Sequence, residues 1–192
     1  MENKRKQENN VDKIFIARWS PRAMSGESLT KSELMTLFEA ARWAPSSINE
    51  QPWRFIYSLN NTFSFDIFLN LLFEGNRKWC AKAAALVVII SKKTFTKNNA
   101  ENRTASFTSG AAMENLLLQA SMIGLVGHAL GGFDYDKTKI ELDIPDDYEV
   151  NCIIAIGRQG KIEDLDETLR AREMPSNRKP LSDIICEGKF KL

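Results

Sequence analysis

Arg18, Ser20 and Arg22 alternate along the stretch Arg18-Trp19-Ser20-Pro21-Arg22. On an extended backbone successive side chains point to opposite sides, so these three would share one face. Two guanidinium forks and a hydroxyl in a row suit a phosphate or the polar edge of a flat ring. The same residues also read as a solvated basic stretch ahead of a helix. Pro45, Ser46, Ser47 and Asn49 form a second candidate group. They lie on a loop between apolar segments, where backbone and short polar side chains can approach a ligand, or simply make a turn without one. Asn76 offers both an acceptor and donors to a ring edge. The Gly131-Gly132 pair lets the backbone come close to a planar group.

Other chemistries find no support. No G-x-G-x-x-G follows a strand and no G-x-x-x-x-G-K-[ST] occurs, so neither a Rossmann dinucleotide site nor a P-loop is indicated. A single histidine, His128, excludes a multi-histidine metal cluster. No G-x-S-x-G elbow accompanies it, so His128 is read as structural, and its loss is expected to leave ligand retention unchanged. Cys80, Cys152 and Cys186 are far apart and odd in number, which argues against a disulfide framework or a zinc site. Lysine and arginine number 26 against 25 acidic residues, so charge gives no reason to expect nucleic acid or an anionic membrane as partner. The longest apolar run, Ala83 to Ile90, falls far short of the ~20 residues a membrane helix needs, and the charged start lacks a signal-peptide core. A cytoplasmic protein acting on a small molecule is expected.

The elements that must position these residues are partly legible. At 192 residues the chain suits one domain. Residues 1–12 are polar without apolar period and read as a flexible tail, leaving 13–192 as the folded domain. Thr30-Lys31-Ser32-Glu33 has the form of a capping box, and Leu34, Leu37, Phe38 and Ala41 follow at helical spacing, predicting a helix over 31–43. Strands are expected at 53–58, at Leu86 to Ile90 and at Cys152 to Ile156, the last two as runs buried on both faces. Thr108 to Ile123 reads as a buried central helix ending at Gly124, followed by a glycine-rich loop. The last thirty or so residues, with Pro175 and Pro180 and then apolar Leu181, Ile184 and Ile185, look like an extended arm gripping something.

Four segments in order resemble the FMN-dependent nitroreductase family. They are residues 18–22; the run Ala44-Pro45-Ser46-Ser47-Ile48-Asn49-Glu50-Gln51-Pro52-Trp53; Gly75-Asn76-Arg77-Lys78-Trp79; and Gly131-Gly132-Phe133-Asp134. The likeness covers nearly everything from residue 14 onward, and the A-P-S-S-x-N-x-Q-P-W run is its most specific piece. It implies an α+β, three-layer fold: a central mixed, mainly antiparallel sheet flanked by helices, with a C-terminal arm crossing to a partner subunit. It implies that Arg18, Trp19, Ser20 and Arg22 contact FMN, that Pro45, Ser46, Ser47 and Asn49 reach FMN held mainly by the other subunit, and that Asn76 meets the pyrimidine edge. The Gly131-Gly132 pair would lie close to the flavin, with an amide near Gly132 donating to its N5, and Arg178 would add a phosphate contact. Trp79 stands where the family often has a lysine, so charge stabilisation from that position is absent.

The resemblance further implies a homodimer with FMN at the subunit interface and a ping-pong reaction, in which NADH or NADPH gives up its hydride and leaves before a nitroaromatic, quinone or similar acceptor enters. The cofactor performs that chemistry while the protein orients and tunes it, so no conventional catalytic acid, base or nucleophile is nominated. An FMN-binding protein without nicotinamide-driven turnover is the alternative.

Overall fold

A computed structural model of the chain describes residues 5–191. Its centre is a four-stranded sheet of β1 (Trp53–Leu59), β2 (Ala85–Lys92), β3 (Val126–Leu130) and β4 (Tyr148–Gly157), in the spatial order β1-β2-β4-β3. Each of the three pairings among the described residues is antiparallel, in keeping with the expected mainly antiparallel sheet. The aliphatic runs of β2 and β4 occupy the two central places. Side chains alternate across the sheet, so both faces of these strands meet apolar neighbours. Leu86, Val88, Ile153 and Ala155 face one cluster, while Val87, Ile89, Ile154 and Ile156 face another.

Helices cover both faces. On the first lie α3 (Phe63–Leu71) and α4 (Glu74–Cys80), which bury Phe65, Phe68, Leu71 and Trp79. On the second lie α2 (Lys31–Arg42) and α5 (Ala105–Met122), which bury Leu34, Leu37, Leu116 and Leu117. The result is the expected α+β arrangement of helices on either side of a sheet. Short helices α1 (Lys13–Ala17), α6 (Tyr135–Glu141) and α7 (Glu167–Arg170) complete the set, and none of the described helices is long and apolar enough to cross a membrane.

The capping box at α2 forms as read. The Thr30 amide donates to Glu33 Oε2 at 2.8 Å and the Glu33 amide to Thr30 Oγ1 at 3.1 Å. The Thr30 amide and then the Thr30 hydroxyl, which both donate to the carboxylate, with Arg158 as a third donor, hold the Glu33 carboxyl below its usual range. The central helix ends through left-handed Gly124, φ 75°, with the Leu125 amide returning to the Ala120 carbonyl at 2.8 Å.

Three expectations change. Residues 126–130, read as part of a glycine-rich loop, are the edge strand β3. Gly127 does not break the strand; it admits α5, because a Cβ there would stand 2.5 Å from Leu117 Cδ2. The central helix is buried on one side only, since Phe107 is 82% and Met122 61% exposed in the single chain. Finally, the Gly75-Asn76-Arg77-Lys78-Trp79 segment, placed only as lying ahead of a strand, is the body of α4.

Candidate functional site

The Arg18 to Arg22 stretch leaves α1 as extended chain and is fixed along its far end by the segment after β4. The Gly160 amide donates to the Ala23 carbonyl at 2.8 Å and the Ser25 amide to the Arg158 carbonyl at 3.0 Å. Gly160 permits that crossing, since a Cβ there would meet the Met24 carbonyl carbon at 2.5 Å. A second anchor is Glu173, only 1% exposed, whose Oε1 accepts from the amides of Arg22 at 2.7 Å and Ala23 at 2.8 Å. Its Oε2 has no hydrogen-bond partner and stands 3.8 Å from Arg22 Nη1. A buried carboxylate is thereby held by two charge-assisted bonds and one nearby cation. It ties the start of the domain to its C-terminal segment.

Between these two ends of the chain opens a cavity of about 340 Å³. Arg18, Trp19, Ser20 and Arg22 form one wall, and Arg178 with Ser176 another. Arg178 Nη1 lies 3.3 Å from Ser176 Oγ, and Arg18 Nη1 lies 3.4 Å from Ser20 Oγ. Arg18 is also paired through Nε with Glu114 of α5 at 3.2 Å. Arg5, Arg172, Met174 and His128 complete the lining, and the sequence reading had singled out none of them for a ligand. Five arginines around one opening favour an anion, and backbone and hydroxyl groups beside them supply orientation.

His128 enters this wall from β3. Its ring lies 4.8 Å from that of Trp79, and its Nδ1 is 3.1 Å from the Pro21 carbonyl, which requires Nδ1 to carry the hydrogen. Burial foremost, together with Arg22, holds its pKa below the usual value, while the Pro21 carbonyl and Glu173 act the other way.

Trp79 links the cavity to the glycine pair. Three residues apart on α4, Asn76 and Trp79 share a helix face, and Trp79 Nε1 donates to Asn76 Oδ1 at 3.3 Å. Asn76 Nδ2 donates in turn to the Gly132 carbonyl at 3.0 Å, which also accepts the Phe73 amide at 3.1 Å. Any Cβ at Gly132 would collide with the Asn76 amide, whereas at Gly131 the nearest atom is the Tyr135 hydroxyl, 3.5 Å away. Asn76, Gly131 and Gly132 are therefore brought together, beside the arginine cavity and outside its lining.

The loop residues Pro45, Ser46, Ser47 and Asn49 neither line the arginine cavity nor join the Asn76 and Gly132 contacts. The loop turns through a short 3-10 segment, Ser47–Asn49, and Ser46 Oγ accepts the Gln51 amide at 2.9 Å. Ile48, Asn49 and Gln51 all take left-handed backbone, with φ of 54°, 54° and 52°. Such geometry disfavours a β-branched residue strongly, and Ile48 is 85% exposed as well.

Fold and cavity together describe a helix-sheet-helix α+β protein with an arginine-lined cavity at one end. The chain belongs to the nitroreductase family, whose sequence profile matches residues 16–61 and 69–158. A solved structure described as an oxidoreductase containing FMN is 40% identical, superposes with a TM-score of 0.95, and is covered to 98% by 100% of this chain. Protein DrgA of Synechocystis sp. is 26% identical over 94% of this chain and 97% of its own length. An oxygen-insensitive NADPH nitroreductase of Helicobacter acinonychis is 27% identical over 70% of this chain and 80% of its own.

Proposed function

We propose that the chain is an FMN-dependent NAD(P)H oxidoreductase that passes reducing equivalents to a small acceptor, such as a nitroaromatic or a quinone, by a ping-pong mechanism. The observation that carries this reading is the arginine-lined cavity at the meeting of the chain's two ends. Its volume, about 340 Å³, falls within the roughly 300–1,000 Å³ of small-molecule sites. Its charge suits the phosphate of a mononucleotide. The 40% identical structure that contains FMN supports the choice of cofactor.

Arg18, Ser20, Arg22 and Arg178 hold the phosphate and ribityl end in this reading, with Trp19 closing the wall. Asn76, locked by Trp79 and Gly132, presents a fixed amide to the ring edge, and the backbone of Gly131 and Gly132 lies against the ring. When bound, FMN supplies the hydride acceptance and delivery that no side chain here can provide. The residues contribute orientation and a cationic field that favours added negative charge.

The functional unit is a homodimer. Phe107, Met122, Ile184 and Ile185 leave apolar surface exposed on a single chain, as does Ile48 on the 45–49 loop. In a dimer Pro45, Ser46, Ser47 and Asn49 complete the partner's site, and the C-terminal arm crosses to the partner. Steady-state rates with NADPH or NADH at several fixed concentrations of a quinone or nitroaromatic test the mechanism. Parallel double-reciprocal lines are expected. Intersecting lines would mean a ternary complex, and bound FMN without turnover would mean a flavin-binding protein of another kind.

A further inference from the structure

A second cavity, of about 410 Å³, lies between the first half of α5 and the start of β4. Ile89, Met113, Val150 and Cys152 give it apolar walls. Among the described residues no lysine or arginine lines it, and Glu149 is its one charged group, the reverse of the arginine cavity. Tyr135 forms part of the wall, and its hydroxyl is the atom nearest to where a Cβ at Gly131 would stand, 3.5 Å away. The cavity therefore borders the glycine pair.

Three buried side-chain polar atoms lack a hydrogen-bond partner among the described residues, and two of them, Ser109 Oγ and Asn151 Oδ1, belong to residues of this lining. Ser109 is only 1% exposed. Asn151 owes its place to a β-bulge. Strands β2 and β4 pair Ile89 with Cys152 and then Ile90 with Val150, so Asn151 is the extra residue, and a bulge re-aims side chains in this way. A directional chain of bonds sets its amide. Ser106 Oγ donates its one proton to Glu149 Oε2 at 3.0 Å, since a carboxylate only accepts, and itself accepts from Asn151 Nδ2 at 3.1 Å. The amide oxygen is left unmet.

Buried polar atoms are costly without partners. Asn151 Oδ1 needs a donor, whereas the Ser109 hydroxyl can donate and needs an acceptor. Water can meet either one singly, but apolar walls favour a flat apolar body that brings both partners with it. An aryl group bearing a primary amide has that make-up, and the Glu149 carboxylate disfavours an anion.

We propose that this cavity is a binding site for an uncharged aromatic amide, with Asn151 Oδ1 accepting from its N–H and Ser109 Oγ donating to its carbonyl. The nicotinamide end of an electron donor and a free aryl amide share this chemistry. The site stands apart from the flavin reading, because amide binding can be measured whether or not the protein turns over.

The test titrates the purified protein with benzamide, with acetophenone, which keeps the ring and carbonyl but has no N–H, and with benzoate, following saturation-transfer NMR. Benzamide is expected to bind about tenfold more tightly than acetophenone, and benzoate more weakly still. Ser109→Ala removes an unpartnered hydroxyl, so its melting temperature should equal or exceed that of wild type while its Kd for benzamide rises about fivefold. In Asn151→Leu, benzamide and acetophenone should bind alike. Wild type that does not bind benzamide, that binds acetophenone or benzoate equally well, or whose benzamide affinity survives both substitutions would overturn the proposal. Benzamide that raises the KM for NADH and leaves kcat unchanged would identify the nicotinamide end as the occupant, and binding without competition would identify a free amide; either supports the site. Benzamide binding by a protein that takes up no FMN would refute the flavin assignment alone.

Discussion

The arginine cavity and the 45–51 loop are two polar regions of one chain, built in opposite ways. Around the cavity three of the five arginines are held by contacts within the chain: Glu114 on Arg18, Glu173 beside Arg22, and three carbonyls on Arg5. The loop keeps three non-glycine residues left-handed and leaves Ile48 exposed. At the cavity, contacts within a single chain already hold these side chains. At the loop, conformational strain and exposed apolar surface persist, which is what the proposed dimer would predict of a segment that meets a second copy.

Breaking the cavity's anchor should have the largest effect. Glu173→Ala leaves the amides of Arg22 and Ala23 without their acceptor, and is expected to lower stability by about 2–4 kcal/mol in urea unfolding and to abolish flavin retention. Stability equal to wild type would show that the buried carboxylate anchors nothing. Arg22→Ala should leave the fold intact and weaken FMN binding by about 1.5–3 kcal/mol, roughly 10- to 150-fold in Kd, measured by titration of the apoprotein. Equal flavin occupancy in the two purified proteins would count against the assignment.

At the loop the sign should reverse. Asn tolerates left-handed backbone far better than Ile, so Ile48→Asn is expected to stabilise the isolated chain by about 1 kcal/mol while weakening the dimer. Sedimentation at graded concentrations and urea unfolding read the two effects separately. A variant that lost stability and kept its dimer would reverse the contrast between the two regions.

Smaller effects follow from burial. His128 normally titrates near 6.5, and its lowered value in the folded chain keeps it neutral where the unfolded chain takes up a proton. The unfolded state then binds more protons, so stability falls as pH drops below about 6.5. His128→Asn should flatten that acid limb in unfolding measured from pH 5 to 8. Burial also raises the Cys152 thiol to about 11 and pushes Cys80 further up, while Cys186 is exposed. At pH 8 iodoacetamide should label Cys186 alone in the native protein, as mass spectrometry would register.

Much of the frame was legible because local rules and burial agreed there. The capping box located α2, and the aliphatic runs located β2 and β4, since strands buried on both faces have no polar alternation to hide them. β3 escaped notice because Gly127, present for the approach of Leu117, reads as a turn residue when its tertiary neighbour is unknown. Half of the candidate cavity was visible in Arg18, Trp19, Ser20, Arg22 and Arg178. Arg5, Arg172 and Glu173 were not, because their position depends on the two chain ends meeting, a contact with no local pattern. His128 lacked any motif partner, and only the pairing of β3 beside β4 turns it toward Pro21 and Trp79.

The central claim is that this chain holds a flavin which a nicotinamide can reduce. The visible absorption spectrum of the purified protein, recorded without oxygen before and after NADPH and then NADH, tests it most directly. An oxidised flavin spectrum that bleaches on addition of either donor is the expected result. A colourless protein that also fails to take up added FMN would contradict the account.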